Sequence, residues 1–134
     1  MSVALHFLDT NTVIYFFRGE GKVSERLLAM RPKAIALSSI VVYELYLGIA
    51  KSSSPNKRRS QLKTLLDVVN FFPFSHDEAH SAAEIRADLE KKGTPIGPYD
   101  VLIAAVAKTH GGVLVTRNQR EFSRIADLKL EDWF

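Results

Sequence analysis

The sequence predicts an α/β domain, a three-layer sandwich with a mostly parallel central sheet and helices on both faces. Three observations predict it. Short apolar runs rich in β-branched residues, at residues 3–8, 34–37 and 113–116, read as buried strands. Helical stretches separate them, which implies crossover connections and βαβ units. No repeat, low-complexity tract or linker interrupts the chain, so residues 1–134 are expected to form one domain.

Val3-Ala4-Leu5-His6-Phe7-Leu8 is the first strand, and Asp9-Thr10-Asn11 leads into a helix over residues 12–18. Asp is a common N-cap at such a junction, so Asp9 has a structural role open to it beside any chemical one. Gly19 and Gly21 break the chain before a short helix over residues 22–30, ended by Pro32. After the strand at 34–37, Ser38 or Ser39 caps the next helix. From residue 40 to 50 every position is apolar or aromatic except Glu44 and Gly48, so this helix is expected to be buried all round. A lone ionised Glu44 inside it would be costly unless paired or bound to a metal.

Lys51, Lys57, Arg58, Arg59 and Lys63 follow in a stretch without acids, with Ser52-Ser53-Ser54-Pro55-Asn56 read as a loop. A solvated face and a set of phosphate contacts both fit this basic run. Residues 61–69 continue as a helix, and residues 69–74 form a weaker strand that Pro73 places at an edge. The helix over residues 76–92 spaces Ala79, Ala82, Ala83, Arg86 and Leu89 along one side. His76 and His80 are not in the zinc-protease order and read as surface histidines. A Gly- and Pro-rich loop from residue 93 then enters a buried helix over residues 101–107, with Asp100 in its first turn. The partial positive charge of the helix N-terminus favours an ionised acid there. Gly111-Gly112 ends the helix, the strand at 113–116 follows, and residues 128–130 offer a last edge strand.

The chain has no cysteine, which excludes disulfides and thiolate metal sites and suits a reducing compartment. Its first residues lack a basic n-region and a long apolar run, so neither a signal peptide nor a membrane span is expected, and the expected location is cytoplasmic. Net charge is +3 from 18 bases and 15 acids. If Asp9, Glu44, Asp100 and Glu121 gather in one pocket, the remaining surface is markedly basic. That pattern suits a polyanion outside and a cation within.

Parallel α/β sheets bind ligands at the carboxyl ends of their strands. Asp9 and Asn118 fall just past two predicted strands, Asp100 opens a helix, and Glu44 lies one turn into another. Carboxylates sharing a small volume raise one another's pKa unless a cation is present. An all-oxygen donor set suits Mg²⁺ or Mn²⁺. Ions of this kind cleave phosphodiesters by activating water and stabilising charge on the phosphate oxygens.

Motif by motif, the chain resembles the PIN-domain ribonucleases, and in particular the VapC toxins of bacterial and archaeal type II toxin–antitoxin pairs. The residues that carry the resemblance are Leu8-Asp9-Thr10-Asn11, Glu44 within Ser39-Ile40-Val41-Val42-Tyr43-Glu44-Leu45, Gly93-Thr94-Pro95-Ile96-Gly97-Pro98-Tyr99-Asp100, Thr116-Arg117-Asn118 with Glu121-Phe122, and the ending Leu130-Glu131-Asp132-Trp133. The resemblance implies a PIN-like sandwich in which Asp9, Glu44 and Asp100 are the acidic metal ligands and Thr10 or Asn11 helps to orient them. Thr116 and Asn118 match the fourth motif. Many PIN domains carry an acid where this chain has Asn118, and Glu121 is the nearest substitute. The implied reaction is Mg²⁺-dependent endonucleolytic cleavage of RNA, with the anticodon stem-loop of initiator tRNA as the target in close relatives. The implied partners are a second copy of the chain and a cognate VapB-like antitoxin that covers the active site.

Other readings fit less well. A haloacid-dehalogenase-like phosphatase needs a second Asp where Asn11 stands, and a phosphoacceptor receiver needs an Asp after the third strand, where Phe71-Phe72-Pro73-Phe74 offers none. A PIN-like domain that binds RNA or protein without catalysis stays open as the alternative.

Overall fold

Five strands, β1 (His6–Leu8), β2 (Ile35–Ser38), β3 (Asn70–Phe72), β4 (Val113–Val115) and β5 (Lys129–Glu131), form one sheet in the order β3-β2-β1-β4-β5. Every neighbouring pair is parallel, with His6 beside both Ile35 and Val113. The computed structural model describes residues 4–134, and Val3, expected in the first strand, lies outside them. The weak third strand and the last strand both take edges, as expected from Pro73 beside the one and the terminal place of the other.

The helices are α1 (Thr10–Arg18), α2 (Val23–Leu28), α3 (Ser39–Ala50), α4 (Pro55–Leu66), α5 (His76–Lys91), α6 (Pro98–Thr109) and α7 (Gln119–Phe122). From β1 the chain steps to β2 and β3, then crosses back to β4 and β5 on the other side. Right-handed crossovers in opposite directions put helices on opposite faces, which makes the three layers. The order reverses between β1 and β4, where a parallel sheet leaves a crevice at its carboxyl edge. The central strands are fully covered: Phe7, Leu8, Ile35, Ala36, Leu37, Leu114 and Val115 form the middle of the core.

Several elements differ from the sequence reading. Helix α1 begins at Thr10, with Asp9 as its N-cap. Helix α4 begins at Pro55, inside the stretch read as a loop. Proline is preorganised for the first helical position, and the serines before it stop the helix from extending backwards. Helix α5 turns Glu78, Ala82, Ile85 and Leu89 inward, leaving Ala79, Ala83 and Arg86 exposed. The small residues were a poor guide because alanine is tolerated on either face.

The most consequential correction concerns α3. Val41, Val42, Leu45 and Ile49 are buried, but Tyr43, Tyr46 and Leu47 are 48%, 50% and 42% exposed. The helix is therefore covered on one side only, and Glu44 is half-buried rather than enclosed. An apolar sequence shows that a face avoids water but not whether the chain itself covers that face.

Away from the carboxyl edge, Glu78 is buried at the start of α5. It accepts from the Ser75 N–H and hydroxyl at 3.1 and 2.6 Å and meets His110 Nε2 at 2.8 Å. The Ser75 hydrogen bonds are the largest cause of a pKa lowered to about 2. A depressed folded pKa means that the stabilisation is present above the ordinary 4.5 and is lost as pH falls from there towards about 2. Glu78→Gln is expected to cost about 2 kcal/mol at neutral pH and to flatten the acid limb of thermal stability. An unchanged acid limb would assign acid sensitivity to other carboxylates.

Candidate metal centre

Asp9 sits where β1 gives way to α1, beside the end of β4. Its N–H donates to the Val115 carbonyl at 3.1 Å, and its Oδ1 accepts from the Thr12 N–H at 2.8 Å. The Thr12 hydroxyl also donates to the Val115 carbonyl, at 3.1 Å, so the turn is fastened to β4 twice. Thr116, fully buried, lies beside the Asp9 carboxylate and helps to lower its pKa, and its hydroxyl oxygen accepts from the Asn118 N–H at 3.0 Å. Burial pushes the Asp9 pKa up, and Thr116 and Thr12 pull it part of the way back. The result is a carboxylate held in place but costly to charge without a cation.

Asp100 is the third residue of α6, after Gly97-Pro98. A Cβ at Gly97 would stand 3.2 Å from Asp100 Oδ2, so glycine leaves that carboxylate its room. The Asp100 pKa is pushed up to about 6, first by burial and then by the charges of Glu44, Glu121 and Asp9. Acids from four separate segments thus bear on one another at the carboxyl edge. The Thr10 hydroxyl donates to Glu44 Oε1 at 2.6 Å, linking the start of α1 to α3. Tyr43 and Tyr99, the neighbours of Glu44 and Asp100, bring their rings to 5.9 Å at the rim.

Among the described residues Glu121 has no arginine partner. Arg117 lies over the Phe134 ring, and Arg124 Nη1 donates to the Pro95 carbonyl at 3.0 Å. Asn118 is the N-cap of α7, but its side chain makes no capping bond. Asn118 and Asn11 line a cleft of about 230 Å³ with Asp9, Tyr15 and Arg117. Glu44 lines a second cleft of about 300 Å³, together with Arg58.

The rest of the basic run stands apart from the acids. Lys63 pairs with Asp67 at 2.9 Å, Arg59 donates to Asn56 at 3.0 Å, and Lys51 and Lys57 are exposed. His76 and His80 are exposed beside Asp77 and Glu84, as surface histidines should be. Sequence reasoning missed Thr12, which fastens the Asp9 turn, and the placement of Arg117 on the cleft wall. The spacing from Asp9 to Thr12, that of an N-cap bond, was the available signal for the first.

Among the described residues no three His, Asp or Glu side chains stand close enough together to hold a metal ion as they are. The acids nonetheless raise Asp100 together, and their donor atoms are all oxygen. This set fits a hard divalent cation, because such an ion relieves the repulsion that the carboxylates exert on one another.

The PIN domain family model matches residues 6–128. The tRNA(fMet)-specific endonuclease VapC of Salmonella typhimurium is 35% identical over 94% of this chain and 96% of its own length. Ribonuclease VapC2 of Rickettsia felis is 36% identical over 96% of this chain and 98% of its own. Among solved structures, DNA-bound VapBC from Salmonella typhimurium superposes with a TM-score of 0.90 at 35% identity, covering 98% of this chain and 99% of that one. The strand order, the acids at its reversal point and relatives of this identity over nearly the whole length agree, and the chain belongs to the PIN domain family, on its VapC branch.

Proposed function

We propose that the chain is a divalent-metal-dependent endoribonuclease, the toxin of a toxin–antitoxin pair, working in the cytoplasm with the anticodon arm of initiator tRNA as its candidate substrate. The observation that carries this is the gathering of Asp9, Glu44 and Glu121 around Asp100, whose carboxyl is pushed up to about 6 by burial first and then by the charges of those three acids. Such repulsion is costly to keep unless the working state contains a cation.

Asp9, Asp100 and Glu44 are the proposed ligands for Mg²⁺ or Mn²⁺. When bound, the ion supplies positive charge for the phosphate oxygens and lowers the pKa of a nearby water. Thr116 and Thr12 hold Asp9, and Thr10 holds Glu44, so two of the three carboxylates are oriented before substrate arrives. Glu121, close enough to raise Asp100 and with no arginine to neutralise it among the described residues, is the proposed fourth acid, and Asn118 lines the cleft beside Asp9. Of the basic run, Arg58 shares a cleft with Glu44 and is the member best placed to meet RNA, while Lys51, Lys57, Arg59 and Lys63 read as solvated surface.

Two surfaces support the partners. An apolar groove of about 580 Å³ between α1, α2 and α4, lined by Phe16, Phe17, Leu27, Leu28 and Val68, suits an amphipathic antitoxin segment. A basic side chain from that segment, reaching the acids, would oppose the ion there. The outward face of α3, with Tyr99 beside it, suits a second copy of the chain.

The test is cleavage of initiator tRNA and total RNA across a Mg²⁺ titration, with and without EDTA, for the parent chain and Glu121→Gln. Cleavage should vanish in EDTA, and Glu121→Gln should need several-fold more Mg²⁺ for half-maximal rate. Cleavage that persists in EDTA overturns metal dependence, and an absence of cleavage at any Mg²⁺ concentration favours the non-catalytic binding domain. An unmoved titration for Glu121→Gln removes Glu121 from the site.

A further inference from the structure

Arg117 stands on the wall of the cleft beside Asp9. Of the five residues lining that cleft, Asp9, Asn11, Tyr15, Arg117 and Asn118, it alone is cationic. Its guanidinium carbon lies 3.6 Å from the centroid of the Phe134 ring and 5.9 Å from that of Tyr15. The two rings meet edge to face at 4.9 Å. Phe134 is anchored in turn: its carbonyl accepts the Lys22 N–H and its N–H donates to Asp132 Oδ1, both at 2.9 Å. A Cβ at Gly21 would come within 2.8 Å of the Phe134 ring, and the glycine's positive φ of 63° also suits no other residue well. The ring is thus a fixed platform.

A guanidinium stacked on a ring spends its face and leaves its in-plane N–H donors free. Among the described residues no carboxylate lies within ion-pair distance of Arg117. An oriented arginine with an unused fork suits a phosphate, which takes two parallel N–H bonds. The neighbouring acids repel a polyanion, so a strand reaching Asp9 needs a positive group at this spot.

We propose that Arg117 binds the non-bridging oxygens of the RNA backbone phosphate that lies over Asp9, and that Phe134 and Tyr15 are positioning residues that aim it. The inference rests on the nuclease reading and adds a substrate contact outside the metal ligands and outside the basic stretch of α4.

The test uses a fluorescein-labelled stem-loop with the sequence of the initiator tRNA anticodon arm. Binding is followed by anisotropy in EDTA against salt, and cleavage in Mg²⁺, for the parent chain, Arg117→Gln, Arg117→Lys and Phe134→Leu. One lost phosphate contact should flatten the slope of log affinity against log salt by about 0.7. Arg117→Gln should show that loss and raise KM about tenfold, the effect of removing one charge-assisted bond, with kcat little changed. Arg117→Lys should restore the slope but only part of the KM, since it keeps the charge and loses the fork. Phe134→Leu should keep the slope and raise KM by an intermediate factor. A parent chain that cuts the RNA while Arg117→Gln matches it in slope and KM overturns the phosphate contact alone. A parent chain that binds through Arg117 but never cuts overturns the nuclease reading and supports the contact.

Discussion

Asp100→Asn is expected to lower RNA cleavage by about 10³-fold, the effect of losing ~4 kcal/mol of transition-state stabilisation, while raising the melting temperature of the metal-free chain. The two effects have one cause. In the folded chain burial and the charges of Glu44, Glu121 and Asp9 hold the Asp100 carboxyl at about 6, against an ordinary 3.8. A raised folded pKa means that the folded state binds this proton more tightly than the unfolded state does. Asp100 therefore withdraws stability as pH rises from about 4 to about 6, and the full loss persists at neutral pH. Because the group is half-buried and screened by water, we expect about 1 kcal/mol to be recovered by the amide. The same amide cannot replace a charged ligand, so the site loses its ion. Calorimetry in EDTA and a cleavage assay in Mg²⁺ check both halves. A metal-free Asp100→Asn chain less stable than the parent would show that the carboxylate supports the fold. At limiting Mg²⁺ the parent's cleavage should also fall below about pH 6, where protons compete with the ion for Asp100.

Thr116→Val is expected to raise the Mg²⁺ concentration for half-maximal cleavage by about 10- to 100-fold. Valine fills the same buried volume, so the core keeps its shape. What goes is the hydroxyl, which helps to lower the Asp9 pKa and accepts from the Asn118 N–H. Asp9 then keeps its burial without that polar neighbour, its pKa rises further, and the turn into α7 loosens. Stability should fall by about 1–2 kcal/mol from the unsatisfied groups. Thr116→Ser should restore most of the ion affinity. A Thr116→Val chain that titrates with Mg²⁺ like the parent would reduce Thr116 to core packing.

The sheet and the convergence of acids were legible in the sequence because each rests on local pattern. Apolar runs at His6–Leu8 and Val113–Val115 mark buried strands, and an acid directly after such a run sits at the carboxyl edge wherever the strand lies in the sheet. Asp100 was legible for a similar reason, as the one charge at the head of an apolar helix. The environment of Glu44 was misread because hydrophobicity along α3 says nothing of how many sides the chain covers. The start of α4 was missed because three serines before Pro55 resemble a loop, although they also resemble the lead into a helix. The contact of Arg117 with Phe134 joins residues 17 apart through side-chain packing alone, and no periodicity encodes it.

Helix α3 carries Glu44 towards Thr10 on one side and Tyr43, Tyr46 and Leu47 to the outside on the other. A single rod therefore connects the proposed ion site to whatever sits on its outer face. Thermodynamic linkage then has a specific meaning here: any occupant of that face that shifts or stiffens the rod changes ion affinity by some factor, and the ion changes the occupant's affinity by the same factor. If the site holds the proposed ion, metal affinity would become a property of protein concentration as well as of sequence, and dilution alone would weaken it.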